Sequence, residues 1–117
     1  MKKILIICDN INEITKMKKL FGEDFRVSGS NSGENALGIL QNKTTDIAVY
    51  YAGNDMSGLF AFYKLIRQEP KTENQALIFV VDESTLKILS DTTALENAAV
   101  IAAPVNSEEL HGLLNSF

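Results

Sequence analysis

Short runs of β-branched and leucine residues alternate with amphipathic stretches of helical spacing along the whole chain, and this leaves few architectures open. Lys3 to Ile7 reads as a strand covered on both faces. Asp9 or Asn10 then caps a helix whose apolar positions are Ile11, Ile14, Met17, the stem of Lys18, and Phe21, with Gly22 closing it. Phe25 to Ser28 predicts a second, short strand, and Ser32 caps a helix over Gly33 to Gln41 presenting Ala36, Leu37 and Leu40. Ile47 to Tyr51 is the third strand, and the turn residues Gly53, Asn54 and Asp55 follow it. Leu59, Phe62, Tyr63 and Ile66 recur at helical spacing, with Pro70 just past the helix end. Ala76 to Val81 is the strongest strand signal. Ser84 to Asn97 reads as a helix weakened in its middle by Asp91, Thr92 and Thr93. Val100 to Ala102 is a short last strand, and Ser107 caps a final helix with Glu109 and Leu110 in its first turn.

Five strands, each followed by a helix, imply an α/β fold with a parallel sheet covered on both faces. Right-handed crossovers favour the flavodoxin-like (βα)5 three-layer sandwich with strand order 2-1-3-4-5. A length of 117 residues suits one domain spanning 1–117, large enough to bury roughly two thirds of its unfolded surface without a staple. Cys8 is the sole cysteine, so no intrachain disulfide forms and a reducing compartment is the natural setting. A net charge of −4 leaves no basic stripe for a nucleic-acid backbone, and Lys16, Lys18 and Lys19 read as a solvated helix face. No apolar stretch approaches the ~20 residues of a membrane span. The apolar run after Met-Lys-Lys stops at Cys8, Asp9 and Asn10, too short for a signal peptide. A cytoplasmic protein without nucleic-acid or membrane partners is expected.

In such folds ligands meet the carboxyl ends of the strands. The residues expected there are Cys8, Asp9, Tyr50, Tyr51, the Gly53 to Ser57 loop, Val81, Asp82 and Ala103. Within this frame the chain resembles the receiver domains of two-component response regulators over essentially its whole length. Lys2-Lys3-Ile4-Leu5-Ile6-Ile7-Cys8-Asp9-Asn10 is similar to the family's first strand, and Asn31-Ser32-Gly33-Glu34-Asn35-Ala36-Leu37 to the start of its second helix. Asp46 to Tyr51 resembles its third strand and Ser57-Gly58-Leu59 the start of its third helix. Ala103-Pro104-Val105 with Glu108-Glu109-Leu110 resembles its lysine-proline step into the last helix, which makes Pro104 a candidate for a cis peptide bond.

The resemblance implies phosphoryl transfer from a histidine kinase to an aspartate, with Mg²⁺ held by two acids and a lysine reading the phosphoryl charge. Mg²⁺ demands carboxylate oxygens, and the charge developing on a phosphoryl group needs fixed cationic help. The chain departs from this pattern at nearly every position. Cys8 replaces the first acid and leaves Asp9 alone. The acceptor position falls on Tyr51 counted from Asp46, or on Tyr50 counted back from Gly58. The hydroxyl position falls on Val80 or Val81, the lysine on Ala103, and the aromatic switch on Val100.

The remaining chemistry is sparse. Cys8 reads as a small half-buried hydrophobe, since the chain offers no second cysteine and His111 is expected on the surface of the last helix. Asp9 serves as well to cap a helix as to hold a cation. The stretch after the first strand holds no glycine, so no dinucleotide or flavin cradle forms, and no Zn²⁺ or Ser-His-Asp set can be assembled. No metal, no cofactor and no enzymatic activity are expected. The sequence predicts a pseudo-receiver that binds a protein, or itself, through the fourth helix, fifth strand and fifth helix, independently of phosphorylation. Two alternatives stand beside it. One is an atypical receiver phosphorylated on a non-standard residue, Asp55 or Asp9. The other is a small-ligand sensor in the crevice of Tyr50, Tyr51 and Val81.

Overall fold

The structure is a computed structural model and describes residues 2–92 and 95–115. The elements run β1 (Lys2–Ile7), α1 (Ile11–Phe21), β2 (Phe25–Ser30), α2 (Gly33–Asn42), β3 (Ile47–Gly53), α3 (Met56–Gln68), β4 (Ala76–Val81), α4 (Glu83–Thr92), β5 (Ala98–Ala102) and α5 (Ser107–Leu114). The strands form one parallel sheet in the order β2-β1-β3-β4-β5, the flavodoxin-like arrangement that the alternation predicts.

Successive strand residues point to opposite faces, and the core divides accordingly. Leu5, Ile7, Ala48, Leu77, Phe79 and Val81 pack with Ala36 and Leu40 of α2, Leu59, Phe62 and Ile66 of α3, and Leu89 of α4. Ile4, Ile6, Ile47, Val49, Ile78, Val80 and Ile101 pack on the other face with Met17 and Phe21 of α1 and Leu110 and Leu114 of α5. β1 and β4 are covered on both sides, which is why their sequences are nearly unbroken apolar runs.

Local signals explain most boundaries, and some fall elsewhere than the sequence predicts. Asn10 caps α1, its side chain accepting from the Asn12 N–H, and Gly22 ends the helix with φ +77°. Ile11 and Lys18 are exposed rather than inward, because the buried stripe runs through Ile14, Met17, Leu20 and Phe21. β2 extends to Ser30, whose carbonyl accepts from the Cys8 N–H and prolongs the ladder with β1. The last helix is capped by Asn106, which accepts from Glu108 and Glu109, and not by Ser107.

The largest difference concerns the fourth helix, expected over Ser84 to Asn97. α4 runs from Glu83 to Thr92, and Asn97 takes a left-handed φ of 51° before β5 begins at Ala98; Thr93 lies outside the described residues. Arg67 explains the ending. Its guanidinium donates to the carbonyls of Gln75 (2.8 Å), Glu96 (2.8 Å) and Asn97 (3.3 Å) and lies over the Tyr63 ring at 4.9 Å. The Tyr63 hydroxyl accepts from the Glu96 N–H at 3.0 Å. A turn whose backbone groups are bound from α3 has no need of helical hydrogen bonds.

Candidate functional site

The carboxyl edge of the sheet is held level by hydrogen bonds one residue past the strand ends. Cys8 N–H donates to Ser30 O, Asp82 N–H to Gly53 O, and Ala103 N–H to Val81 O. Between β1, the start of α2 and the end of β3 lies a cavity of about 440 Å³ lined by Cys8, Asp9, Ser32, Tyr50, Tyr51 and Asp55, among others. This is the crevice expected at the switch between strands running left and right of β1.

Tyr50 and Tyr51 leave β3 on opposite faces. The Tyr50 ring stacks on Phe62 at 4.5 Å and meets Phe79 edge-on at 5.9 Å, locking it into the α2–α3 side of the core. Tyr51 packs with the α1–α5 side, half-buried near Ala103 and Val105. The register pairs Tyr50 with Ile7 and Phe79, and Tyr51 with Val80. One step beyond the Ile7–Tyr50 pair, Tyr51 is therefore level with Cys8. A shift at Ala52 then lets Gly53, at φ +61°, pair with Val81. Val80 and Val81 are fully buried, offering no hydroxyl at the end of β4.

Burial, reinforced by Asp55 and Asp9, pushes the Tyr50 phenol above its ordinary value. Burial, with Glu13, Asp82 and Cys8, does the same for Tyr51. The Cys8 thiol is also raised, chiefly by burial, although the Asn10 N–H approaching its sulfur at 3.5 Å opposes the shift. All three groups are held neutral around neutral pH.

Asp55 lies at the N-terminus of α3, where its Oδ1 accepts from the Gly58 N–H at 2.9 Å. It is the helix cap, a role not read from the sequence even though an Asp just before the helical run that holds Leu59 and Phe62 carries the signal. The Ala103–Pro104 peptide bond is cis. His111 differs from the surface residue expected: it is half-buried, its ring 5.9 Å from that of Phe25 and its Nε2 3.2 Å from Leu20 O.

This donor set does not fit Mg²⁺. Asp9 is the only carboxylate at the end of β1, its neighbour Cys8 is a protonated thiol, the Tyr50 and Tyr51 phenols stay neutral, and Asp55 across the crevice is taken up as the α3 cap. Among the described residues no three His, Cys, Asp or Glu side chains converge as a metal site. No described helix is long and apolar enough to cross a membrane.

No protein-family model matches the chain, and no curated protein matches its sequence. Solved structures do match its shape. The chemotaxis protein CheY4 of Vibrio cholerae superposes with a TM-score of 0.81 at 19% identity, over 99% of this chain and 98% of that one. A response regulator receiver domain protein from Clostridium thermocellum gives 0.79 at 22% identity over 99% and 93%. A sensor protein from Polaromonas sp. JS666 gives 0.83 at 16% identity over 98% and 94%. The chain thus has the CheY-like receiver fold.

Proposed function

We propose that this chain is a pseudo-receiver: a two-component-type signalling domain that works by binding a protein partner, without phosphorylation, metal or cofactor. The observation that supports the reading is Tyr51, paired with Val80 one step past the Ile7–Tyr50 pair and lining the crevice beside Asp9; by this reading it stands where a receiver presents its acceptor aspartate. A protonated phenol there has neither the charge to share Mg²⁺ with Asp9 nor an acyl-phosphate chemistry to offer. Ala103 supplies no cation for a phosphoryl group, and Val80 and Val81 supply no hydroxyl. Phosphoryl transfer onto Asp55 is disfavoured because that carboxylate already caps α3.

What survives is the scaffold. A domain that keeps five strands and both helical layers while giving up the reactive groups retains its surfaces, and surfaces bind proteins. The face of α4, β5 and α5 is the proposed docking side, cytoplasmic by this reading, with a signalling protein or a second copy as the mate. The direct test is phosphotransfer. Incubated with Mg²⁺ and acetyl phosphate, the chain should gain no phosphoryl mass. A phosphoryl group recovered on Asp9, Asp55 or a crevice tyrosine would overturn the reading in favour of an atypical receiver.

A further inference from the structure

A second cavity, of about 520 Å³, opens on the α1–α5 side of Tyr51. Met17 and Leu20 of α1 form one wall, and Ala103, Pro104 and Val105, leading from β5 to α5, form the other. Its size falls within the range of small-molecule sites, which are apolar hollows with a few placed polar groups. Two such groups are here. Tyr51 lines the cavity, and its hydroxyl has no hydrogen-bond partner among the described residues. Glu13 also lines it, and among the described residues its carboxylate pairs with the Lys16 ammonium at 3.5 Å, a pair so exposed on the lysine side that a competitor displaces it at little cost.

Ala103 contributes only a methyl group to the lining. The sign of the field selects what can enter. After burial, Glu13 and Asp82 help the Tyr51 phenol hold its proton, and among the described lining residues the one cation is Lys16, already paired with Glu13. An anion is therefore repelled, and a cation is drawn towards the phenol oxygen and Glu13.

We infer that this cavity is a binding site for a small primary amine carrying an apolar body, the body lying between Met17, Leu20, Pro104 and Val105 and the ammonium donating to the Tyr51 oxygen and the Glu13 carboxylate. The inference is independent of the pseudo-receiver reading. It concerns the opposite side of Tyr51 from the Asp9 crevice, and it stands or falls whether or not the chain accepts a phosphoryl group.

Three probes of one shape and different charge provide the test: phenethylamine, 2-phenylethanol and phenylacetate, each titrated at millimolar concentration against the ¹⁵N-labelled chain. Phenethylamine should shift the amides of Met17, Leu20, Tyr51 and Val105 saturably, with the alcohol weaker and the acid weakest. Glu13→Gln, a change on the exposed helix surface that leaves the core intact, should weaken the amine about tenfold and leave the alcohol unchanged. Ala103→Lys should abolish binding by filling the hollow and supplying its own ammonium. Absence of saturable shifts with every probe overturns the inference, as does phenylacetate binding as well as the amine. Amine binding that ignores Glu13→Gln overturns it too, even if Ala103→Lys fails to fold.

Discussion

The ring of Tyr50 lies stacked on that of Phe62, 4.5 Å between centroids and 21° from parallel. The middle of β3 is thereby fastened to the middle of α3. In this stack a residue level with the reactive crevice serves as core. Phe62 is buried and also meets Phe79 edge-on at 6.5 Å. Phe62→Ala should cost about 3–5 kcal/mol, because it removes a large buried side chain and leaves a cavity beneath Tyr50. Urea unfolding measures this directly, and a loss under 1 kcal/mol, about what an exposed position gives, would deny the stack its structural role.

Restoring one missing group should not restore a switch. Tyr51→Asp places a carboxylate opposite Asp9 but leaves Cys8 and Ala103 unchanged, so that variant should remain inert to Mg²⁺ and acetyl phosphate and lose stability through the lost ring. Cys8→Asp, Tyr51→Asp and Ala103→Lys together supply two acids, an acceptor and a cation. Phosphoryl incorporation appearing only in the triple variant is the expected result of mass measurement. Incorporation in the unsubstituted chain contradicts it.

Asp55 separates a structural from a reactive carboxylate. Asp55→Ala should destabilise the fold by about 1 kcal/mol through loss of the α3 cap, while Asp55→Asn, which caps as well, should be nearly neutral. A phosphoacceptor would behave differently, since both substitutions would abolish any phosphoryl uptake. Thermal unfolding of the two variants reads the cap, and phosphoryl mass after incubation with Mg²⁺ and acetyl phosphate reads the acceptor.

The turn before β5 depends on Arg67 in the same local way. Arg67→Ala removes donations to three carbonyls and the contact over Tyr63, and should cost about 2 kcal/mol. Arg67→Lys should recover little, because one ammonium cannot reproduce a planar fork. Hydrogen exchange at Glu96 and Ala98 should accelerate in both variants.

Stability should fall above about pH 9. Cys8, with an ordinary value of 9.0, and Tyr50 and Tyr51, at 10.0, are all raised by folding. The unfolded chain therefore loses these protons first as pH rises, which favours unfolding. The contribution is fully present below the ordinary values and is lost from there up through the raised folded ones. Tyr50→Phe with Tyr51→Phe should flatten the part of the decline above pH 10, read from urea midpoints across the range. An unchanged slope would place the loss elsewhere.

The fold was legible because two interior strands, Lys2–Ile7 and Ala76–Val81, carry nearly unbroken apolar runs, as a parallel sheet between helical layers requires. The ends of elements were less legible, since tertiary groups set them. Asn97 leaves the helix pattern because Arg67, thirty residues earlier, binds the turn around it. His111 looked like a surface residue because its partners, Phe25 and Leu20, are far away in sequence. At the crevice, sequence counting left Tyr50 and Tyr51 equivalent. The difference between them lies in what each meets: Tyr50 joins the Phe62 and Phe79 rings while Tyr51 lines a cavity with Ala103, partners distant in sequence that counting along the chain does not reveal.

The central claim, that the receiver scaffold persists here without its switch, is met most directly by amide NMR spectra of the chain with Mg²⁺ alone and then with beryllofluoride added. The amides of Asp9, Tyr51, Val81 and Ala103 should stay in place through both additions, because Asp9 has a protonated thiol and neutral phenols beside it and Asp55, the other carboxylate lining the crevice, is engaged as the α3 cap. Saturable, Mg²⁺-dependent shifts at those four residues would contradict the account and return the domain to the phosphorylated receivers.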